Sequence, residues 1–342
     1  MFNIGPYPTH PGCIGNTIRK VSDGIWVTTT PNSSRIKYKI MYMQTNQRTV
    51  ARSVTCNGIG VHSGKTVTVT IKPAPVNHGI QFVRTDLMDS PGIAARFNMV
   101  VDTSLATVIG YNGFIISTIE HLMACFTGQG IDNALVELDN YEMPIMDGSG
   151  GPFAEIISSA GAEDQSGARC FFVIKEPIEV ERDGKFVGIY PDSTYKITYT
   201  IDYDHPLIGR QTCTVDVNDG TFETQIARAR TFGFLEEYEL MKHYGLAQGG
   251  SLDNVLVIDE DDVVNPDGLR YPDEFVRHKI LDCIGDFSLL GMPILGHVVA
   301  EKSGHAFNHE FLKTFFEKKD CWATETTQPP ETRSTQPKQL AI

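Results

Sequence analysis

The sequence lacks several features that would place it in common classes of protein. No apolar run approaches the ~18 residues that a membrane-spanning helix needs, and the N-terminus lacks the charged-then-apolar order of a secretory signal. The seven cysteines are odd in number and form no CxxC pair, which favours reduced thiols and argues against a thiolate zinc site. Basic residues are in deficit, with a net charge of −13, so a general nucleic-acid-binding role is excluded. We expect a cytoplasmic protein.

The chain nevertheless has the length and composition of a folded protein with a sizeable core. It contains 342 residues, of which 41% are apolar, enough for one large or two ordinary domains. Alternating or apolar segments predict strands at Lys65–Pro73, Asn133–Asp139 and Tyr195–Asp202. Helical spacing predicts helices at Ser117–Gly128, Pro152–Gly161, Asp273–Gly291 and His309–Lys319. Strands follow strands more often than helices, so we predict an α+β fold rather than a regular βαβ array.

Composition also predicts the limits of the domains. Residues 1–45 form a polar, basic N-terminal extension that we expect to be poorly ordered, either a transit segment or, as we prefer, the product of a start assigned upstream of Met41 or Met43. The segment Gly161–Arg169 is small and polar, and it separates a domain at 46–165 from one at 166–320. Residues 321–342 are polar and Pro-rich, which predicts a disordered tail.

The two halves share a layout of a His early in a helix, a Gly-bearing turn and an apolar strand. Two similar domains that each give a His to a site at their junction would explain it. Any two α+β halves would also look alike at this level.

The stretch FVRHKILDCIGD carries an unusual polar row beside its apolar face. His278, Asp282 and Asp286 are spaced four apart, so on a helix they lie on one side. A His and an Asp in this relation can bind one metal ion, although the same spacing is common in surface pairs.

Two further histidines lie in suggestive surroundings. Glu120 and His121 are adjacent in a predicted helix, an arrangement that suits a metal ligand beside a general base. A capping-box carboxylate and a core histidine would explain the pair equally well. His305, in KSGH after an apolar strand, suits a general acid or an ordinary loop residue.

These hints coincide with a known family. The chain from about Gln47 to Lys318 resembles the UDP-3-O-acyl-N-acetylglucosamine deacetylases, which are zinc amidases of lipid A biosynthesis. The resemblance rests on stretches that occur in the family's order, including GVHSGKTVTVTIKPAP, ISTIEHLMA, EMPIMDGSGGPF, ARARTFGF, GGSLDN, RYPDEFVRHKILDCIGD and KSGHAFN. It implies two similar domains with the active site at their junction, and acetate release from the acylated UDP-sugar in the committed step of that pathway.

The resemblance also implies roles for particular residues. One zinc ion per chain would be bound by His121, His278 and Asp282, with Glu120 as the general base. The remaining catalytic residues would be His305, which stabilises the oxyanion and protonates the amine, Asp286, which orients His305, and Thr231, which helps hold the oxyanion.

The family binds the substrate's acyl chain in a hydrophobic passage built by an insert, which matches residues 232–256 here. The implied substrate-binding residues are Phe232, Gly250 and Ser251, with Lys279 and Lys302 for the diphosphate. An amphipathic helix carrying Leu235, Tyr238 and Met241 would line the passage, or would be an ordinary packed helix. His62 and Asp147 match motif positions without a clear role.

Two alternatives use the same residues. The protein could be a zinc amidase for a different acylated amino sugar, or a non-catalytic UDP-sugar-binding protein. Retention of Glu120, His121, His278, Asp282 and His305 favours an enzyme. We expect at most peripheral contact with a membrane and infer no obligate protein partner.

Overall fold

The computed structural model describes residues 17–22, 25–29, 44–260 and 262–327. Within these ranges the chain folds into two domains of sheets packed with helices, which confirms the predicted α+β class. The longer helices are α1 (Glu120–Gly128), α2 (Gly151–Ala160), α3 (Leu235–His243), α4 (Glu274–Ser288) and α5 (His305–Glu317). Short helical turns lie at Phe97–Met99, Asp219–Thr221, Phe222–Ile226 and Lys319–Cys321.

The described strands are numbered in chain order. Those up to residue 138 are β1 (Thr17–Ser22), β2 (Ile25–Thr29), β3 (Asn46–Val50), β4 (Val54–Ile59), β5 (Thr66–Pro73), β6 (Ile80–Arg84), β7 (Ile93–Ala94), β8 (Val100–Asp102), β9 (Val108–Tyr111), β10 (Phe114–Ile116) and β11 (Ala134–Leu138). The later ones are β12 (Ala162–Ala168), β13 (Cys170–Ile174), β14 (Ile178–Arg182), β15 (Lys185–Tyr190), β16 (Tyr195–Asp202), β17 (Arg210–Asp216), β18 (Phe232–Phe234), β19 (Leu256–Asp259), β20 (Asp262–Val263), β21 (Ile294–Glu301) and β22 (Trp322–Thr326).

The main sheet of the first domain has the order β4-β5-β11-β6-β7. In β5, Val67, Val69 and Ile71 point into the core while the intervening Thr residues face outward, as the alternating sequence predicts. Strand β11 is central, antiparallel to β5 and parallel to β6. A separate three-stranded sheet, β10-β9-β8, leads directly into the start of α1.

The second domain is built on a seven-stranded sheet with β21 at its centre. Strand β21 pairs in parallel with β13 and β16 and antiparallel with β15. Its sequence ILGHVVAE is buried along nearly its whole length, as expected of a strand covered on both faces. A smaller sheet, β18-β19-β20, has α3 between its first two strands, and the segment 232–256 predicted as the insert covers β18, α3 and the first residue of β19.

Helices α1 and α4 pack against each other and join the two domains. Gly285 of α4 lies against the backbone of Glu120 in α1, and a Cβ atom at this glycine would collide with the carbonyl oxygen of Glu120. The missing side chain therefore allows the two helix backbones to approach closely. This approach sets the residues at the start of α1 beside the polar row of α4.

Most predicted elements are present, with differences at their ends. Strand β16 has the predicted limits, and α2 and α4 lie within a few residues of theirs. Helix α1 starts at Glu120 rather than Ser117, because Thr118 has a positive φ of 62° and no side-chain cap bond is made. Helix α5 starts four residues before the predicted His309, directly after the extended Gly304.

Three segments correct the predictions made from composition. The predicted boundary Gly161–Arg169 contains strand β12, which pairs with β3, so it is not an irregular linker. The predicted tail is ordered through residue 327: β22 pairs with β13, and the Trp322 indole donates a hydrogen bond to the carbonyl of Phe315. Within the predicted N-terminal extension, β1 and β2 pair as antiparallel strands, as suits their β-branched residues.

Other parts of these predictions lie outside the described residues. They concern residues 1–16, 23–24, 30–43 and 328–342. The limit between the domains at residue 165 remains a prediction. Among the described residues, no helix is both long enough and apolar enough to span a membrane.

Candidate metal centre and active site

Three buried donors meet where α1 packs on α4. His121 comes from the first turn of α1, and His278 and Asp282 come from successive turns of α4. Their ligand atoms all lie within 4.8 Å of one another. The Asp282 Oδ1 atom is 3.3 Å from Nε2 of His278 and 3.6 Å from Nε2 of His121. Two imidazole nitrogens and a carboxylate oxygen form a set that could hold a metal ion.

Neighbouring groups orient two of these donors. The Nδ1–H of His278 donates to the carbonyl of Ala229 at 3.0 Å, which leaves Nε2 free to accept. Burial lowers the pKa of His278 to about 4 despite the nearby Asp282, so its ring is neutral as a ligand requires. Lys279 donates to Oδ2 of Asp282 at 2.7 Å, which leaves Oδ1 facing the two histidines.

Glu120 is the first residue of α1 and lies beside this group. It is 4% exposed, and burial raises the pKa of its carboxyl, an effect that His305 and His121 partly offset. Its Oε2 accepts a hydrogen bond from the backbone N–H of Thr107 at 3.1 Å. Its Oε1 lies 3.8 Å from Nε2 of His305. The carboxylate is thus held on one side and faces an imidazole on the other.

His305, the first residue of α5, is held by Asp286. Its Nδ1 lies 2.9 Å from Asp286 Oδ2, and that carboxylate also accepts from Thr107 Oγ1 at 2.6 Å and Asn308 Nδ2 at 2.8 Å. Burial by itself lowers the pKa of His305, but the charge and hydrogen bond of Asp286 outweigh it and raise the pKa to about 9. His305 is therefore protonated at neutral pH.

A cleft of about 170 Å³ opens over these groups. It is lined by Glu120, His121, His278, Asp282 and His305 of the site. It is also lined by Thr231, Phe232 and Gly250 of the predicted set, by Tyr238 and Met241 of α3, and by Leu105 of the first domain. The structure therefore brings most of the predicted residues to one cavity, which apolar side chains also line.

Four predicted residues lie apart from the lining of this cleft. Lys279 is hydrogen-bonded through its amine to Oδ2 of Asp282 at 2.7 Å. Lys302 forms an ion pair with Asp202 at 2.6 Å, and both side chains are well exposed. Ser251 is exposed beside Gly250. Asp286 reaches the cleft only through His305.

His62 and Asp147 occupy different positions. His62 lines the cleft, and its Nδ1 is buried with no hydrogen-bond partner among the described residues. Asp147 pairs with Arg270 at 2.8 Å and accepts from Ser149, so it shapes the turn before α2.

Sequence reasoning missed Thr107 and Asn308, the two donors that hold the carboxylate of Asp286. Neither has a periodic pattern that distinguishes it from ordinary buried polar residues. Asn308 lies three residues after His305, and this proximity to a candidate acid was the one available signal.

Comparison with known proteins shows the family of this chain. A family model described as UDP-3-O-acyl N-acetylglycosamine deacetylase matches residues 47–317. A UDP-3-O-acyl-N-acetylglucosamine deacetylase of Myxococcus xanthus is 50% identical over 81% of this chain and 88% of its own length. Proteins of the same name from Geotalea uraniireducens and Coxiella burnetii are each 46% identical, over 84% and 83% of this chain and 94% of their own lengths. The chain therefore belongs to the UDP-3-O-acyl N-acetylglycosamine deacetylase family.

Proposed function

We propose that this protein is a zinc-dependent deacetylase that hydrolyses the N-acetyl group of UDP-3-O-acyl-N-acetylglucosamine and releases acetate, in the committed step of lipid A biosynthesis. The observation that carries the proposal is the meeting in one cleft of a His-His-Asp group, the buried carboxylate of Glu120 and the cationic His305. The family and the names of the relatives supply the substrate.

The residues fit a single zinc ion. His121, His278 and Asp282 would bind it through two nitrogens and one oxygen, a donor set that is typical of catalytic zinc sites with one open position. Iron(II) suits similar donors. When bound, the metal polarises the acetamide carbonyl and makes the attacking water more acidic.

The proton transfers belong to the chain's own residues. Glu120 accepts a proton from water as the water oxygen attacks the carbonyl carbon, a step favoured because burial raises the pKa of this carboxyl. His305 donates its Nε2 proton to the amide nitrogen as the C–N bond breaks, so that the amine leaves uncharged. Thr231 donates a hydrogen bond to the oxyanion from the cleft wall. Asp286 keeps His305 oriented and protonated.

The substrate would lie along the cleft. Phe232 and Gly250 contact the sugar and the start of the acyl chain, and Ser251 extends this side. The apolar chain follows Tyr238 and Met241 of α3, which line the cleft. Lys302 would meet the diphosphate. Lys279, which the resemblance assigns to the same group, instead donates to the metal ligand Asp282 and does not line the cleft. The Lys302–Asp202 pair is exposed, so exchanging Asp202 for a phosphate costs little.

The proposed reaction also bears on where the protein acts and what it contacts. We propose a cytoplasmic enzyme, with domains at 46–165 and 166–320, that meets its substrate with at most peripheral membrane contact and without nucleic acid.

Acetate release from the UDP-sugar by zinc-loaded protein tests this proposal. Glu120→Gln keeps the shape of the side chain but cannot accept the proton, so we expect a loss of kcat of at least about 100-fold with bound zinc unchanged. Glu137→Gln, which alters a surface ion pair with Lys72, is the matched control and should keep full activity. Unchanged turnover in Glu120→Gln would reject Glu120 as the base. No turnover by the folded, zinc-loaded wild type would reject the substrate.

A further inference from the structure

Thr107 touches both partners of the proposed acid–base pair. It lies between β8 and β9 of the first domain and is 2% exposed. Its backbone and its side chain make separate hydrogen bonds, one to each domain.

The backbone of Thr107 fixes the base. Its N–H donates to Oε2 of Glu120 at 3.1 Å, within the same domain. This bond leaves the other oxygen, Oε1, as the one that faces His305 Nε2 at 3.8 Å. The oxygen that is free to accept a proton is therefore selected by Thr107.

The hydroxyl of Thr107 fixes the acid's partner across the domain junction. It donates to Oδ1 of Asp286 at 2.6 Å, and Asn308 donates to Oδ2 at 2.8 Å. The carboxylate is thus held at both oxygens, and its plane cannot rotate away from His305 Nδ1 at 2.9 Å. The Thr107 hydroxyl lies 3.4 Å from the same Nδ1, so it packs against the imidazole edge as well.

We propose that Thr107 is a positioning residue for the deacetylation: one side chain and its own backbone N–H hold Glu120 and the Asp286–His305 pair in register across the two domains. This inference rests on the proposed function. The Thr107 hydroxyl orients the Asp286 carboxylate, and Asp286 in turn orients the imidazole of His305 so that its Nε2 proton faces the substrate.

Paired substitutions separate this role from a structural one. Thr107→Val keeps the shape and the backbone N–H but removes the hydroxyl, and we expect kcat to fall about 10- to 100-fold with KM and bound zinc unchanged. Thr107→Ser restores the hydroxyl and should lose less than about tenfold. Thr49→Val is the control: Thr49 is equally buried and accepts one bond, from the N–H of Ala74, so this variant should lose stability but keep kcat. Full kcat in Thr107→Val, or an equal loss in Thr107→Ser, would overturn the proposal.

A second readout does not depend on turnover. In zinc-loaded protein with ¹⁵N-labelled histidine, the Nδ1 proton of His305 should give a downfield, exchange-protected resonance because it is bonded to Asp286. We expect Thr107→Val to shift or broaden this resonance and Thr107→Ser to retain it. An unchanged resonance in Thr107→Val would overturn the positioning role even if the wild type were active. Absence of acetate release by the wild type would instead reject the proposed function. The resonance of His305 would still show whether Thr107 positions Asp286.

Discussion

At the scale of single residues, several of the proposed functional side chains are oriented by a second group that does not itself react. The Ala229 carbonyl fixes the ring of His278, and Lys279 occupies the outer oxygen of Asp282. Asp286 performs the same task for His305. Such supporting bonds restrict each donor to one tautomer or one free oxygen, which a metal centre and a proton relay both require.

The charge of His305 gives a prediction about pH. The Asp286 carboxylate raises the pKa of His305, so Asp286→Asn should move the alkaline limb of the kcat–pH profile to lower pH by about one unit or more. The same link affects stability. Because the pKa of His305 is higher in the folded state, its protonation adds to the free energy of unfolding. This contribution is fully present below the unfolded pKa of about 6.5 and is lost as the pH rises through about 9. An alkaline limb unmoved in Asp286→Asn would contradict the assignment of His305 as the acid.

The sequence allowed the reacting residues to be predicted better than their supports. His278 and Asp282 are four residues apart, so helical geometry places them on one side of a helix. Glu120 and His121 are adjacent within the motif ISTIEHLMA. Thr107 could not be found this way, because its partner Asp286 lies far along the chain and in the other domain. A hydrogen bond of that kind depends on tertiary packing that no local pattern encodes.

At the scale of elements, the site depends on the close contact of α1 and α4. Gly285 permits this contact. The sequence alone does not predict this role, because a glycine inside a helix is expected only to lower helix stability. Helix periodicity predicted both helices but not which residue faces the partner helix.

Substitution of Gly285 tests this dependence. Gly285→Ala puts a methyl group against the Glu120 carbonyl, so we expect a loss of about 1–3 kcal/mol in the free energy of unfolding, together with weaker zinc binding as α1 shifts. Gly220→Ala is the control, because its Cβ would have only Asn218 Oδ1 nearby, at 3.8 Å. Thermal melting and zinc titration of both variants measure the effect. If Gly285→Ala and Gly220→Ala had the same melting temperature and the same zinc affinity, the contact between α1 and α4 would not determine the geometry of the metal site.

Helix α3 shows the limit of amphipathic patterns. Its apolar residues were predicted to line the acyl passage, and Tyr238 and Met241 do line the cleft. Leu240 is 58% exposed, and Tyr244 just after the helix is 73% exposed, so part of the apolar side faces outward. The pattern located the helix but not its rotation relative to the cleft.

At the scale of the whole molecule, composition and periodicity predicted a folded α+β protein but missed two strands in polar segments. Strands β12 and β22 were not predicted because their sequences are polar. They are ordered because they pair with strands distant in the sequence, β3 and β13. The overall charge of −13 also says little about the substrate, because the proposed diphosphate contact is one local lysine, Lys302. Long-range pairing and local charge both depend on the folded arrangement.

The central claim is that His121, His278 and Asp282 hold the metal while Glu120 acts as the base. The most direct measurement determines bound zinc and acetate release on the same samples of wild type, His278→Ala and Glu120→Gln. We predict that His278→Ala loses both, because one of three buried ligands is gone, whereas Glu120→Gln keeps zinc and loses turnover. Full zinc content and full rate in His278→Ala would contradict the account.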